Sequence, residues 1–286
     1  MSGRIAPLRL LLFATALLLA SCSRLDLAYR NLDLIIPLWV KSYVTLDDRQ
    51  EQWLDSHLQQ HLAWHCRTQL PIYVDWLESV RLQTKQPHLE PATVQGWIDN
   101  VQGSVKRISV EITPTVIGLT ENLSPGQVGE LYVAMDEKNE ALHDEYLAPS
   151  MTKQVDQRTQ RMVKRVEDWM GRATARQRAR IAEWSKAQGE YNRIWMENRQ
   201  AWQLALRRTL YARHNPDFAA QLTSLLQSPK THGTAAFRTF EAQQLQTFAS
   251  LLADLFNQAE TDQRRHLDNR LADLASDLRG LACYPR

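Results

Sequence analysis

The chain has 286 residues, of which 44% are hydrophobic and 23% charged, and its formal net charge is +2. This length is sufficient for one large domain or two small ones with a hydrophobic core. Because the total charge is almost balanced, it gives no indication of a highly charged partner such as nucleic acid.

Residues 1–21 have the features of a secretory signal peptide. Arg4 and Arg9 precede an uninterrupted apolar run from Leu10 to Ala20, and the small residue Ser21 comes before Cys22. A basic start, an apolar stretch and small residues before a cleavage site are typical of such signals. The run is too short for a membrane-spanning helix, which needs about 20 apolar residues.

The end of this segment, Leu19-Ala20-Ser21-Cys22, resembles the lipobox of bacterial lipoproteins. The resemblance implies that cleavage leaves Cys22 as the first residue and that acyl chains anchor it stably to a membrane. Ser23, rather than Asp, resembles lipoproteins sorted to the outer membrane. We therefore expect a lipid-anchored, periplasm-facing protein of a Gram-negative outer membrane. The alternative is an ordinary secreted protein in which Cys22 is incidental.

Residues 22–45 are predicted to form a membrane-proximal helix, with Pro37 as a kink or a new start. No Gly/Ser tether separates this helix from Cys22, so the domain should lie close to the bilayer. Its apolar face either packs in the core, which we favour, or touches lipid. That face comprises Leu25, Tyr29, Leu32, Ile36, Trp39, Val40 and Tyr43.

Residues 46–286 are predicted to form a periplasmic all-α domain, a bundle of long antiparallel helices with short connections. Pro114 should end one helix, and Ala175 to Arg213 should form a single long helix. Inward candidates on that helix are Trp184, Tyr191, Trp195, Trp202 and Leu206. The expected helices are Asp48–Cys66, Pro71–Thr84, Pro91–Ile112, Pro125–Tyr146, Thr152–Met170, Ala175–Arg213, one that starts at Asn215-Pro216 and ends at Ser228-Pro229, Thr234–Asn257 and Thr261–Leu281.

Charge is distributed unevenly along the chain. Residues 41–150 contain 8 basic and 16 acidic residues, whereas residues 151–213 contain 15 basic and 6 acidic ones. Such segments either neutralise each other or offer a positive strip to an anionic partner. The candidates for binding phosphate of lipid or lipopolysaccharide are Arg172, Arg176, Arg178 and Arg180. The alternative, which we favour, is a solvated helix face.

Beyond Cys22, the chain contains only Cys66 and Cys283. In an oxidising periplasm two remaining cysteines are a plausible disulfide. This bond would tie the C-terminal tail to a helix near the N-terminus, and it would stabilise the fold by up to about 5 kcal/mol. The alternative is a pair of buried free thiols.

His57, His61 and His65 follow each other at intervals of four residues, which places them on one helix face. Two adjacent imidazoles at this spacing are able to chelate a transition metal. All three cannot bind one ion, because the face spans about 12 Å at 1.5 Å per residue. The alternatives are histidines at helix interfaces or in water, or a role in sensing pH.

One pattern recurs at four expected helix starts. A Ser, Thr, Asp or Glu is followed three residues later by Gln, which predicts capping boxes at Asp47, Ser124, Thr174 and, more loosely, Glu260. The segments resemble the LTxxQ signature of periplasmic stress chaperones of the Spy and CpxP type, although none reads Leu-Thr. The resemblance implies an all-helical protein that holds unfolded clients, and plain capping is the alternative.

The junction Trp64-His65-Cys66-Arg67-Thr68-Gln69-Leu70-Pro71-Ile72-Tyr73 resembles one in an uncharacterised family of proteobacterial lipoproteins, known only as a domain of unknown function. The lipobox and the all-α remainder agree with that family along nearly the whole chain. This resemblance implies a fold and a location, and it assigns no activity.

No catalytic activity is expected, because the sequence has no Gly-rich phosphate loop, nucleophile elbow, metal-protease helix or triad-like arrangement. No cofactor is expected besides the lipid on Cys22. We expect a binding or chaperone-like protein whose partners are the membrane and unfolded or envelope proteins. The alternatives are an assembly partner of an envelope complex, and a metal or pH sensor that uses the three histidines. The oligomeric state stays open.

Overall fold

The structure, a computed structural model, describes residues 29–281 and 283. Cys22 and the predicted signal peptide therefore lie outside the described residues. The described part of the chain is helical throughout, without a strand, so the predicted all-α bundle is confirmed. None of its helices is long and apolar enough to cross a membrane.

The helices are numbered here in chain order. They are α1 Leu32–Lys41, α2 Asp48–Trp64, α3 Leu70–Gln83, α4 Pro91–Glu121, α5 Pro125–Tyr146, α6 Met151–Met170, α7 Ala175–Ala187, α8 Tyr191–Tyr211, α9 Phe218–Gln227, α10 Ala235–Asn257 and α11 Thr261–Gly280. A π-helical turn, His65–Gln69, joins α2 to α3, and a short 3₁₀ helix, Pro229–His232, follows α9.

Three of the predicted capping boxes are complete in the structure. The side chains of Asp47, Ser124 and Thr174 accept hydrogen bonds from backbone N–H groups of the first turn, and the glutamine three residues on accepts from each cap's own N–H. At the fourth start the N–H of Glu260 donates to Oε1 of Gln263 at 3.1 Å. These bonds satisfy donors that a helix start leaves open.

The helix that contains Pro114 does not end there, contrary to the prediction, and α4 continues to Glu121. An internal proline removes one backbone hydrogen bond and costs about 3 kcal/mol. Tertiary contacts around the proline offset this cost. Thr115 is buried and hydrogen-bonds His61 at 2.7 Å, and the hydroxyl of Ser109 donates to the carbonyl oxygen of Leu226 at 2.7 Å.

The predicted single helix from Ala175 to Arg213 is also wrong. It is interrupted by a turn at residues 188–190, where Gly189 has φ +49°. A glycine with positive φ just after the last helical turn is a common helix stop. The predicted break between one helix ending at Cys66 and the next starting at Pro71 is also wrong. The chain continues there from α2 into α3 through the π-helical turn without a break.

The four capping glutamines are interlocked in two pairs. Gln50 and Gln127 exchange side-chain hydrogen bonds, and so do Gln177 and Gln263. Each amide also donates to a main-chain carbonyl of another segment. The acceptors are Asn122, Thr45, Leu255 and Arg172 for Gln50, Gln127, Gln177 and Gln263, respectively. The boxes therefore join segments that are far apart in the chain as well as capping their own helices.

The two pairs mark two halves of the chain in which the elements follow a similar order. Each half has a first helix, a capping box, a long interrupted helix, a second long helix, a second capping box and a final helix. The first half runs from α1 to α5 and the second from α6 to α11, in which α9 is an addition. The halves pack reciprocally, because α3 of the first contacts α11 of the second while α8 of the second contacts α5 of the first. Between them α4 packs along α10.

The structure contains the predicted disulfide between Cys66 and Cys283, whose Cα atoms are 5.9 Å apart. Cys66 lies in the π-helical turn and is buried. The bond joins the end of α11 to the interrupted helix of the first half. It covalently closes the contact between α3 and α11, which the ion pairs of Arg81 with Asp268 and of Arg279 with Glu78 also hold.

The first helix differs from the expectation of a core helix. No residue of α1 is buried, and Leu34, Leu38 and Trp39 are 60%, 66% and 62% exposed. Of the face predicted to pack in the core, Val40 and Tyr43 pack against the core around Leu46 and Leu123, and Tyr29, which precedes α1, packs against the core around Cys66 and Leu70. The favoured alternative holds for these three residues and is wrong for Trp39.

Candidate functional site

A cleft of about 680 Å³ lies mainly among helices of the second half of the chain. Its walls are α6, the turn between α7 and α8, α10 and the end of α5. The turn that Gly189 permits shapes one wall, because Gln188 in the turn and Tyr191 and Asn192 at the start of α8 line the cleft there. The other lining residues are Leu142, Tyr146, Arg158, Arg161, Met162, Arg165, Trp184, Trp195, Phe237, Glu241, Gln244, Leu245 and Phe248.

Arg158 on α6 is the most unusual of these residues, since it is a buried cation with 7% exposure. Its guanidinium donates to the carbonyl oxygen of Ser185 at 2.7 Å and to Oδ1 of Asn192 at 3.3 Å. Asn192 is itself held by the carbonyl oxygen of Tyr146, at 2.8 Å. Both partners of Arg158 are neutral. Among the described residues no carboxylate lies within ion-pair distance of it.

Burial, followed by the neighbouring charge of Arg161, lowers the pKa of Arg158. The direction shows that its surroundings disfavour the charged form. Arginine nevertheless stays protonated in proteins. The group therefore carries a positive charge that the fold solvates with neutral acceptors and does not neutralise.

Two further arginines on the same face of α6 extend this charge along the cleft. The guanidinium of Arg161 lies 5.1 Å from the ring centroid of Tyr146. Neither Arg161 nor Arg165 forms an ion pair with any residue between 29 and 281. The single carboxylate in the lining, Glu241, is paired with Lys230 at 2.9 Å. The cleft is therefore cationic.

Within the described residues, Trp184 adds a hydrogen-bond donor without an acceptor to the cleft lining. Its indole N–H is buried and has no acceptor within the described structure. Buried donors are rarely left without a partner. Together with the arginines, this donor suits binding of an anion or a hydrogen-bond acceptor. Because arginine does not release its proton at neutral pH, this arrangement favours binding over proton transfer.

The four arginines singled out in the sequence lie outside the cleft, at the start of α7. Arg178 pairs with Glu167, and Arg180 pairs with Asp254 at 2.8 Å. Arg172 and Arg176 are exposed. The sequence reasoning missed the arginines of the preceding helix. Their spacing with Met162 and Val166 on one face of α6 was the signal that could have identified them.

The three predicted histidines have separate partners. His57 stacks on Trp53 with centroids 3.8 Å apart, His61 contacts Glu111 at 3.2 Å and Thr115 at 2.7 Å, and His65 contacts the hydroxyl of Tyr29 at 3.0 Å. Burial lowers the pKa of His65. Within the described residues no three His, Cys, Asp or Glu side chains are grouped so that they could hold a metal ion.

The aromatic residues expected on the inner side of the long helix have mixed positions. Leu206 is buried, and Trp202 is partly buried and donates to the carbonyl oxygen of Leu225 at 3.1 Å. Tyr191 and Trp195 line the cleft, and Trp184 lines it while it also packs against the core around Ile181 and Leu251. The break at Gly189 explains the difference, because it leaves these side chains beside an open space.

Comparison with known proteins supplies a family and no activity. No curated protein and no solved structure matches the chain. A family of unknown function, DUF6279, matches residues 42–238, more than half of the chain, and this range contains the three arginines of the cleft. The expected membership of an uncharacterised domain family is thereby confirmed. The chain belongs to the family DUF6279.

Proposed function

We propose that this protein is a lipid-anchored, non-catalytic binding protein of the cell envelope whose cleft accepts an anionic group. The observation that carries the proposal is the buried, unneutralised guanidinium of Arg158 at the wall of an open cleft. A buried charge is costly unless an opposite charge compensates it. A bound phosphate or carboxylate would supply that charge, and Arg161 and Arg165 would add to its attraction.

Two features support the envelope location. The disulfide between Cys66 and Cys283 suits an oxidising compartment such as the periplasm. The exposed apolar face of α1, formed by Leu34, Ile35, Leu38 and Trp39, begins a short distance after Cys22. Such a face resembles helices that lie in a membrane interface. Acylation of Cys22 and attachment to the outer membrane remain part of the proposal.

A chaperone-like activity is the second candidate. It is favoured by the capping boxes, which resemble the chaperone signature, and by the aromatic lining of the cleft. Crosslinking in cells distinguishes it from a role as an assembly partner, because a chaperone would be linked to many proteins and an assembly partner to one.

Sensing of metal or pH through His57, His61 and His65 stays a third candidate. Isothermal titration with Zn²⁺ tests the metal-sensing form of this candidate. Equal Zn²⁺ binding by the wild type and by His61→Ala would rule it out.

Anion binding is tested by isothermal titration of inorganic phosphate into the full chain, reconstituted in phosphatidylcholine nanodiscs. Arg161→Gln removes one charged donor without emptying a buried site, and we expect it to weaken binding about tenfold or more. Arg176→Gln is the matched control, because Arg176 is exposed and lies outside the cleft. Absence of phosphate binding, or equal losses in the two variants, would contradict the proposal.

A further inference from the structure

The cationic cleft continues into an apolar groove. A pocket of about 300 Å³ shares Met162, Arg165 and Phe248 with the cleft. A further pocket of about 400 Å³ shares Trp169 and Leu252 with that one. The apolar groove is defined here as these two pockets together. Its remaining lining residues are Trp76, Val80, Thr84, Leu89, Val94, Trp97, Ile98, Val101, Val166, Met170, Leu255, Phe256, Leu267 and Leu271.

The cleft and the near end of the groove run between α6 and α10. On α6 the lining advances from Arg158 in the cleft to Met170 in the groove, and on α10 it advances from Phe237 to Phe256. At about 1.5 Å per residue, the twelve residues from Arg158 to Met170 rise about 18 Å. One leaflet of a bilayer has an apolar depth of about 15 Å, half of the hydrocarbon core. The open space is therefore about as long as one acyl chain.

The two ends of this space differ in chemistry. Three arginines surround the cleft, whereas the only lining residues of the groove that are not hydrophobic are Arg165 and Thr84. A buried indole N–H without an acceptor in the described structure lies at both ends, that of Trp184 in the cleft and that of Trp76 in the groove. A peptide in the groove would lose hydrogen bonds of its backbone, since few polar groups there could replace them. An alkyl chain has no such bonds to lose.

We propose that the cleft and the groove together bind one single-chain anionic amphiphile. Its phosphate or carboxylate lies against Arg158 and Arg161, and its alkyl chain follows α6 past Phe248 to Trp169. Arg165 stands at the boundary, where its guanidinium faces the head group and its methylene stem covers the start of the chain. This assignment rests on the proposed anion binding and adds the class of the ligand.

A series of phosphates with increasing chain length tests the assignment. Inorganic phosphate, butyl phosphate and octyl phosphate are titrated into the full chain in phosphatidylcholine nanodiscs, with empty nanodiscs as the blank for partitioning. We expect octyl phosphate to bind at least about tenfold more tightly than butyl phosphate, because each buried methylene adds to the affinity. A free phosphate site would give equal affinities for all three compounds.

Leu252→Trp should fill the groove, because Leu252 lines both apolar pockets. The variant should lose the dependence on chain length and keep the affinity for inorganic phosphate. Leu204→Trp is the matched control, since Leu204 is 49% exposed on α8 and lies outside both pockets. If Leu252→Trp does not fold, Trp169→Ala, at a residue that is 38% exposed, removes apolar lining from the groove instead, and it should reduce the gain of octyl phosphate over butyl phosphate while the affinity for inorganic phosphate is kept.

The outcomes separate the two proposals. Phosphate binding without any gain from the alkyl chain would overturn the amphiphile assignment and leave anion binding intact. Failure of every compound to bind would overturn both. Displacement of octyl phosphate by an uncharged apolar peptide of higher affinity would also overturn the assignment, because it would identify the groove as a peptide site.

Discussion

Gln177→Ala should destabilise the fold more strongly than Gln127→Ala, although both glutamines occupy the same position of a capping box. The side chain of Gln177 takes part in four hydrogen bonds. It accepts from the N–H of Thr174 at 2.9 Å, donates to the carbonyl oxygen of Leu255 at 3.0 Å and exchanges two bonds with Gln263. Alanine removes all four and leaves these partners unsatisfied.

Burial sets the size of the effect. Gln177 is fully buried, with 0% exposure, whereas the corresponding bonds of Gln127 to the N–H of Ser124 and the carbonyl oxygen of Thr45 are at exposed positions. A net contribution of about 1 kcal/mol per bond gives about 3–5 kcal/mol for Gln177→Ala. Water replaces the lost partners at Gln127, so about 1–2 kcal/mol is expected there.

Urea unfolding of the full chain in nanodiscs, followed by far-ultraviolet circular dichroism, measures both free energies of unfolding. The comparison holds if the urea dependence of unfolding is the same for the wild type and both variants. A loss below about 1 kcal/mol for Gln177→Ala would refute the reasoning. Equal losses for the two variants would show that the interlocked pairs contribute through local capping alone.

Three further predictions concern other parts of the fold. Cys283→Ser should lower the free energy of unfolding by up to about 5 kcal/mol, and dithiothreitol should then have no further effect on the melting temperature. Gly129→Ala should stabilise α5 by about 0.5–1 kcal/mol, since nothing lies within 4 Å of the added methyl group, while Gly189→Ala at φ +49° should destabilise the protein by about 1 kcal/mol. Thermal unfolding measures the stability of both glycine variants. A gain in stability for Gly189→Ala would contradict the role of that turn. Leu38→Glu on α1 should leave stability unchanged and reduce quenching of tryptophan fluorescence by brominated lipid, with Leu204→Glu as the control.

The positions of many helix ends could be predicted because capping depends on neighbours in the chain. A side chain at the cap and a glutamine three residues later meet within one helical turn, whatever surrounds them. The starts after Asp47, Ser124 and Thr174 follow from this local rule. The rule does not state where the glutamine amide donates, and the interlocked pairs were therefore not foreseen.

Helix interiors were predicted less well, because tertiary contacts decide whether a disfavoured residue is tolerated. Pro114 lies in an unbroken helix since Thr115 and Ser109 are held by other segments. Gly189 interrupts a segment of regular apolar spacing, because a positive φ is open to glycine and the turn lets α7 and α8 pack separately.

The helical class and the lengths of most helices could be predicted from the sequence, because they follow from local spacing. The sequence also favoured a disulfide between Cys66 and Cys283 over two free thiols, and the structure contains that bond. The sequence also pointed to a membrane anchor at Cys22. The reciprocal packing of helices from the two halves and the burial of Arg158 beside an apolar groove became visible only in the folded chain. Those features join residues far apart in the chain, so no local spacing encodes them.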